Sequence, residues 1–131
     1  MKREAILDGV KTIIADVMEL DKDEIYLDSS LIDDLGIESV DFIDISARIE
    51  EEFNIEIAKG ELWSFGKIFA DESIMKEGKI TAKGVKHLRE RFPEDFQEVE
   101  RGTSLADIIG LIRVKFIVGY LCHKTSPAIA R

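Results

Sequence analysis

Apolar residues between Glu4 and Leu20 recur at three- and four-residue spacing. Ile6, Leu7, Val10, Ile13, Ile14, Val17 and Met18 lie on one side of a helix that Asp21-Lys22-Asp23 ends. Glu24 to Ile37 has no period and reads as a long loop, with Ile25, Leu27, Leu31, Ile32 and Leu35 expected to dock on a core. A second helix is predicted from about Ser39 to Phe53, with Glu38 and Asp41 suited to the positive end of its dipole. At about 100° per residue, Phe42, Ile45, Ser46, Ile49 and Phe53 share the face expected to be core. Val40, Ile43 and Ala47 form a second apolar stripe, edged by Asp41, Asp44, Arg48 and Glu51. Either that stripe meets a partner, or Val40 and Ile43 pack on the preceding loop.

From Ala58 to Gly102 the pattern is less regular. Glu61 to Ala70 suits a short helix, and Lys76-Glu77-Gly78-Lys79 a turn. Thr81 is the expected cap of a helix running to Phe92 and stopped by Pro93. Ser104 with Asp107 three residues on opens a last helix, in which Leu105, Ile108, Ile109, Ile112 and Phe116 keep helical spacing as far as Tyr120 or Leu121. No strand is predicted. The reading is all-α, with three principal helices and smaller ones between residues 58 and 102.

The 131 residues suit one domain and can bury a core without disulfide staples. A single cysteine excludes a disulfide framework and a cysteine-based zinc site. Lys2-Arg3-Glu4 leads into the amphipathic pattern rather than a signal peptide, and Phe116–Cys122 is too short to cross a bilayer. A cytoplasmic monomer with no membrane insertion is expected. Charge is uneven: residues 1–57 carry 17 Asp/Glu against 5 Lys/Arg, a net of −12, within a total of −9. That half repels phosphate backbones, so nucleic acid is not an expected partner and basic protein surfaces are.

Catalytic and metal chemistry finds little footing. Cys122 and His123 are chain neighbours, which gives them no catalytic geometry, and His87 stands in an unrelated segment. The stretch from Asp21 fails as a calcium loop, because Tyr26 replaces the turn glycine and Ile32 the twelfth-position glutamate. There is no glycine-rich phosphate loop, and Gly36-Ile37-Glu38-Ser39-Val40 has the wrong spacing for a nucleophile elbow. No metal site and no enzymatic activity are expected.

What remains is Asp34-Leu35-Gly36-Ile37-Glu38-Ser39-Val40-Asp41, which puts a serine in the first turn of a helix, just after a glycine loop. Unpaired N–H groups and the positive dipole end there suit a phosphate ester, although serine also serves there as a plain cap. The octapeptide closely resembles the phosphopantetheine attachment signature of acyl carrier proteins. The resemblance extends over residues 4–57, including Ile49-Glu50-Glu51-Glu52-Phe53-Asn54-Ile55-Glu56-Ile57, and over 103–120 from Thr103-Ser104-Leu105-Ala106-Asp107 onward. It implies an acyl-carrier-protein-like all-α helical bundle, here a single carrier domain over residues 1–131 with a long helical insertion, 58–102, folded onto the bundle before the last helix.

The resemblance further implies that Ser39 takes 4′-phosphopantetheine from coenzyme A through a phosphopantetheinyl transferase, and that the arm carries acyl groups as thioesters. Glu38, Asp41, Asp44, Glu50 and Glu51 match acidic recognition positions that meet basic patches on acyl-loading, acyltransferase or synthase enzymes, and Val40 and Ile43 match apolar ones. Two departures stand out. The usual Asp-Ser-Leu reads Glu38-Ser39-Val40, and residues 58–102 replace a short turn and small helix. The insert's Gly78-Lys79-Ile80-Thr81, Gly84, Leu88-Arg89 and Phe92-Pro93 look like those of extended bacterial carriers. Some of these serve long or hydroxylated acyl chains destined for lipopolysaccharide. The expected function is a specialised acyl carrier for fatty acid or lipid biosynthesis. The alternatives are a polyketide or aminoacyl/peptidyl carrier, and an unmodified helical adaptor.

Overall fold

Ile6, Val10, Ile13 and Ile14 are the buried residues of α1, Arg3–Met18, in the computed structural model, which describes residues 2–125. The helix stops where Glu19 turns left-handed at φ 55° and its N–H donates to the Ala15 carbonyl. A 3-10 turn, Lys22–Glu24, follows, with the Asp21 carboxylate accepting from the Asp23 N–H at 3.0 Å. α2, Ser39–Phe53, buries Ile45, Ile49 and Phe53 of its expected core face, while Phe42 and Ser46 are half-buried. α1 packs against α2, and a Cβ on Gly9 would stand 2.9 Å from Cζ of Phe53, so the glycine lets the Phe53 ring close on α1. Of the loop residues expected in the core, Ile25, Leu31 and Leu35 are buried and Leu27 and Ile32 half-buried; Ile37 is buried too.

The other wall of this unit is α6, Val114–Thr125, which packs on α1. A continuous helix from Ser104 was expected, but the chain forms α5, Leu105–Ile109, and then breaks at residues 110–113. The break has its cause in partners distant along the chain. The N–H groups of Val114 and Lys115 donate to the carbonyls of Ser29 and Leu27, at 3.0 and 2.9 Å, instead of to the preceding turn. An antiparallel bridge between Ser30 and Arg113 continues the attachment. α6 then runs to Thr125, about a turn beyond the expected end.

Residues 59–112 form a second compact unit, distinct from the unit of residues 2–58 and 113–125. Its short α3 covers only Phe65–Phe69, less than the Glu61–Ala70 expected, since Gly60 is in a left-handed turn at φ 79° and the first helical residue follows Ser64. Contrary to the strand-free expectation, Met75–Lys76 (β1) and Lys79–Ile80 (β2) pair as an antiparallel hairpin across Glu77-Gly78. Both turn residues have positive φ, 54° and 78°, as a tight primed turn requires. Strands of two residues are too short to show alternation in a sequence. α4, Ala82–Arg91, begins as expected at Thr81, whose hydroxyl accepts from the Gly84 N–H at 3.0 Å. Phe65, Phe92 and Phe96 form a mutually contacting cluster with centroids 5.3–5.8 Å apart, extended by Phe69 at 5.9 Å from Phe65.

Candidate functional site: the start of α2 and its loop

The loop before α2 is built around Ser30. Its N–H donates to Asp34 Oδ2 at 2.7 Å, and its hydroxyl accepts from the Asp33 N–H at 3.1 Å. Ser29 and Ser30 are both buried, and the Ser29 hydroxyl accepts from the Tyr26 N–H at 2.9 Å. The chain then turns through Gly36 at φ 67°, a conformation that suits glycine, and the Ile37 N–H reaches back to the Leu31 carbonyl at 3.0 Å. With Leu31, Leu35 and Ile37 buried, the segment entering α2 is tied down on both sides of the glycine. Hydrophobic spacing does not single out Ser30 and Asp34, although the clustering of serine, aspartate and glycine from Ser29 to Gly36 marks the segment as a turn.

The helix starts at Ser39. The Asp41 and Phe42 N–H groups donate to the Glu38 carbonyl at 2.9 and 3.1 Å, and the Glu38 N–H donates to Asp41 Oδ2 at 2.9 Å. Ser39 is the first helical residue and its side chain is exposed. The Ser39 and Val40 amides precede the first intrahelical donors and lie at the positive end of the helix dipole. An exposed hydroxyl beside such amides, with open solvent around it, fits a phosphodiester anion and a long flexible arm.

The remaining expected residues fall into distinct situations. Val40 and Ile43 are 69% and 73% exposed, so they do not pack on the preceding loop. Asp44 is exposed and pairs with Arg48 at 3.0 Å. Glu50 is half-buried, and its Oε2 accepts from the Ile57 N–H at 2.9 Å, which secures the chain leaving the helix. Glu51 is exposed and lines a shallow groove with Asp8, Asp16 and Arg48. Glu38 is exposed beside Ser39, while Asp41 is half-buried against the helix start. Cys122 is half-buried in α6. Among the described residues, no helix is long and apolar enough to cross a membrane.

An exposed serine at a helix start on a braced glycine loop agrees with the carrier resemblance of the sequence. Residues 8–68 match the family described as the phosphopantetheine attachment site, a span that includes all of α2. An acyl carrier protein of Clostridium acetobutylicum is 45% identical over 56 residues, which are 43% of this chain and 73% of that protein. Acyl carrier protein AcpXL of Rhizobium meliloti is 42% identical over 76 residues, 55% of this chain and 79% of the relative. Acyl carrier protein AcpXL of Mesorhizobium japonicum is 52% identical over 50 residues, 38% of this chain and 54% of that protein. No solved structure matches. The chain belongs to the acyl carrier protein family. It is a carrier of acyl groups on a covalently attached 4′-phosphopantetheine, and so acts with a phosphopantetheinyl transferase and with acyl-handling enzymes.

Proposed function

We propose that Ser39 bears the 4′-phosphopantetheine, and that this carrier is specialised for fatty acyl cargo in lipid biosynthesis. The observation that carries the assignment is the exposed Ser39 hydroxyl at the first helical position, on a loop held by Gly36, Ser30 and Asp34. Ser39 Oγ forms the new P–O bond as the pyrophosphate bond of coenzyme A breaks. Adenosine 3′,5′-bisphosphate leaves, and the hydroxyl proton passes to a base on the transferase. Once attached, the arm supplies the thiol that carries the acyl group as a thioester. The chain's own part is to hold the serine at a helix start, and to present Val40 and Ile43 among Glu38, Asp41, Asp44, Glu50 and Glu51 to basic patches on acyl-loading, acyltransferase or synthase enzymes.

Within this reading the cargo is a long-chain or hydroxylated acyl group used in lipopolysaccharide biosynthesis, supported by the likeness of the insert to extended bacterial carriers. The reading includes a single domain over residues 1–131, with residues 58–102 folded onto the carrier bundle; one cooperative thermal transition monitored by both near- and far-ultraviolet circular dichroism is its test. For Ser39, the test is intact-mass spectrometry after incubation with coenzyme A and a phosphopantetheinyl transferase. The wild-type chain gains one phosphopantetheinyl group, and Ser39→Ala gains none while keeping its helical spectrum, because an exposed hydroxyl at this position contributes at most about 0.5–2 kcal/mol. Modification of the alanine variant moves the site elsewhere.

A further inference from the structure

The second unit contains a cleft of about 730 Å³ whose lining includes none of the residues assigned to the carrier site. Its lining comes from the segment before α3, from α3 itself, from Asp71 and Ile74 between α3 and β1, and from α4, all within residues 59–112. Three permanent cations, Lys59, Lys67 and Arg91, line it together with His87. Lys59, Lys67 and Arg91 make no ion pair with a carboxylate among the described residues, although Arg91 also lies over the Phe92 ring, 5.4 Å from its centroid. The cleft also holds one carboxylate, Asp71, whose Oδ1 accepts from both the hydroxyl and the N–H of Ser73, at 2.7 and 2.8 Å, so it offsets part but not all of the positive charge. The rest of the lining is apolar in part, with Trp63 and Ile68 half-buried and Ile74 buried. The cleft thus combines surplus positive charge with an aromatic and aliphatic wall, in a chain whose net charge is −9.

We infer that this cleft binds an organic phosphate monoester, with the phosphate dianion at Lys59, Lys67 and Arg91 and the organic body against Trp63 and Ile74. A dianion is favoured over a neutral guest because three cations against the single carboxylate of Asp71 leave the cleft with unbalanced positive charge. Arginine and lysine together supply both directional and point-charge recognition of phosphate. A purely inorganic ion would leave the apolar wall in contact with water, so the organic body adds binding free energy. The site is independent of Ser39 and does not rest on the carrier assignment.

Trp63 is the sole tryptophan, so its fluorescence reports the cleft directly. The 131-residue Ser39→Ala chain, which removes the proposed attachment serine, is titrated with octyl phosphate, adenosine monophosphate, inorganic phosphate and octanol. Octyl phosphate or adenosine monophosphate should shift the emission saturably, and the tighter of the two tells a lipid-like body from a nucleotide. Binding should weaken at high salt, and by about tenfold or more in Lys67→Ala/Arg91→Ala, as loss of charge-assisted contacts predicts. Both side chains are exposed, so the variant should keep its circular dichroism. The proposal is overturned if neither monoester shifts Trp63, if octanol binds as well as octyl phosphate, if inorganic phosphate binds as tightly as both monoesters, or if the folded double variant binds like the parent.

Discussion

The N–H of Glu38 donates to Asp41 Oδ2 at 2.9 Å, so one of the acidic residues beside Ser39 holds the start of the helix that presents it. Asp41 and Asp44 therefore differ in kind. Asp41→Asn should lower stability by about 0.5–1 kcal/mol, because it removes a charge that both caps the first turn and meets the helix dipole. Asp44 is exposed and pairs along its own helix with Arg48, an arrangement worth no more than about 0.3–0.5 kcal/mol. Asp44→Lys should leave the melting temperature nearly unchanged and slow association with a basic partner enzyme, with the difference shrinking as salt is raised. Stopped-flow association and thermal melts separate the two effects. Equal loss of stability in both variants would refute the distinction.

A second contrast sits in the inserted unit. A Cβ on Gly84 would stand 2.5 Å from the Ile74 carbonyl oxygen and 2.7 Å from Ile80 Cγ1, so α4 approaches the hairpin as closely as a glycine permits. Backbone cannot yield as a side-chain tip can, and Gly84→Ala should cost about 1–3 kcal/mol or more. Gly66, in α3, has nothing within 4 Å of the position a Cβ would take, and no positive φ. Gly66→Ala should instead stabilise by about 0.4–1 kcal/mol, through the unfolded chain. Chemical denaturation of both variants checks the signs, and a neutral Gly84→Ala would show the approach to be looser.

The features that were legible in the sequence are those set by neighbours along the chain. Periodicity placed Ile45, Ile49 and Phe53 inside and Val40 and Ile43 outside, and capping chemistry placed Thr81 at the start of α4. What escaped depends on partners distant in sequence. The break before Val114 exists because Ser29 and Leu27 offer carbonyls to its first amides, which no local spacing reveals. The role of Glu50 follows from an amide seven residues on, beyond the helix end. The carrier resemblance implied partner contact for Asp41 and Glu50 alike; hydrogen bonding shows that each has a structural task.

Asp71 gives a pH-dependent prediction. The Ser73 hydroxyl and then the Ser73 N–H hold its carboxyl below the ordinary value of 3.8 against an opposing cost of desolvation, with Lys83 and His87 adding smaller effects. A folded-state value below the unfolded one means that its contribution to stability is complete above the unfolded value and is lost as pH falls through the lower folded value. Carboxyl NMR titration should show a midpoint below 3.8 that moves up towards it in Ser73→Ala. An unchanged midpoint in that variant would assign the shift to the backbone N–H of residue 73, which the substitution keeps, rather than to the hydroxyl.

The last prediction concerns cargo length. In α1 the buried residues Ile6, Val10, Ile13 and Ile14 span about 100° of the helix circumference, an ordinary one-sided burial. In α6 the buried residues Val114, Phe116, Ile117, Val118 and Leu121 span about 200°. A helix buried over so wide an arc has apolar neighbours on more sides than a one-sided helix, and the prediction is that an acyl chain entering between them is sheltered over more of its length. Each further methylene that enters such surroundings gains at most about 0.8 kcal/mol. The carrier should therefore continue to gain stability with acyl chains longer than one buried helix face can shelter. The measurement loads the phosphopantetheine arm with saturated acyl groups of increasing length and records the melting temperature of each. A continued rise along the series supports an interior suited to long chains. A melting temperature indifferent to length would mean that the acyl chain stays in solvent, and would leave the insert the role of docking surface for a dedicated acyltransferase.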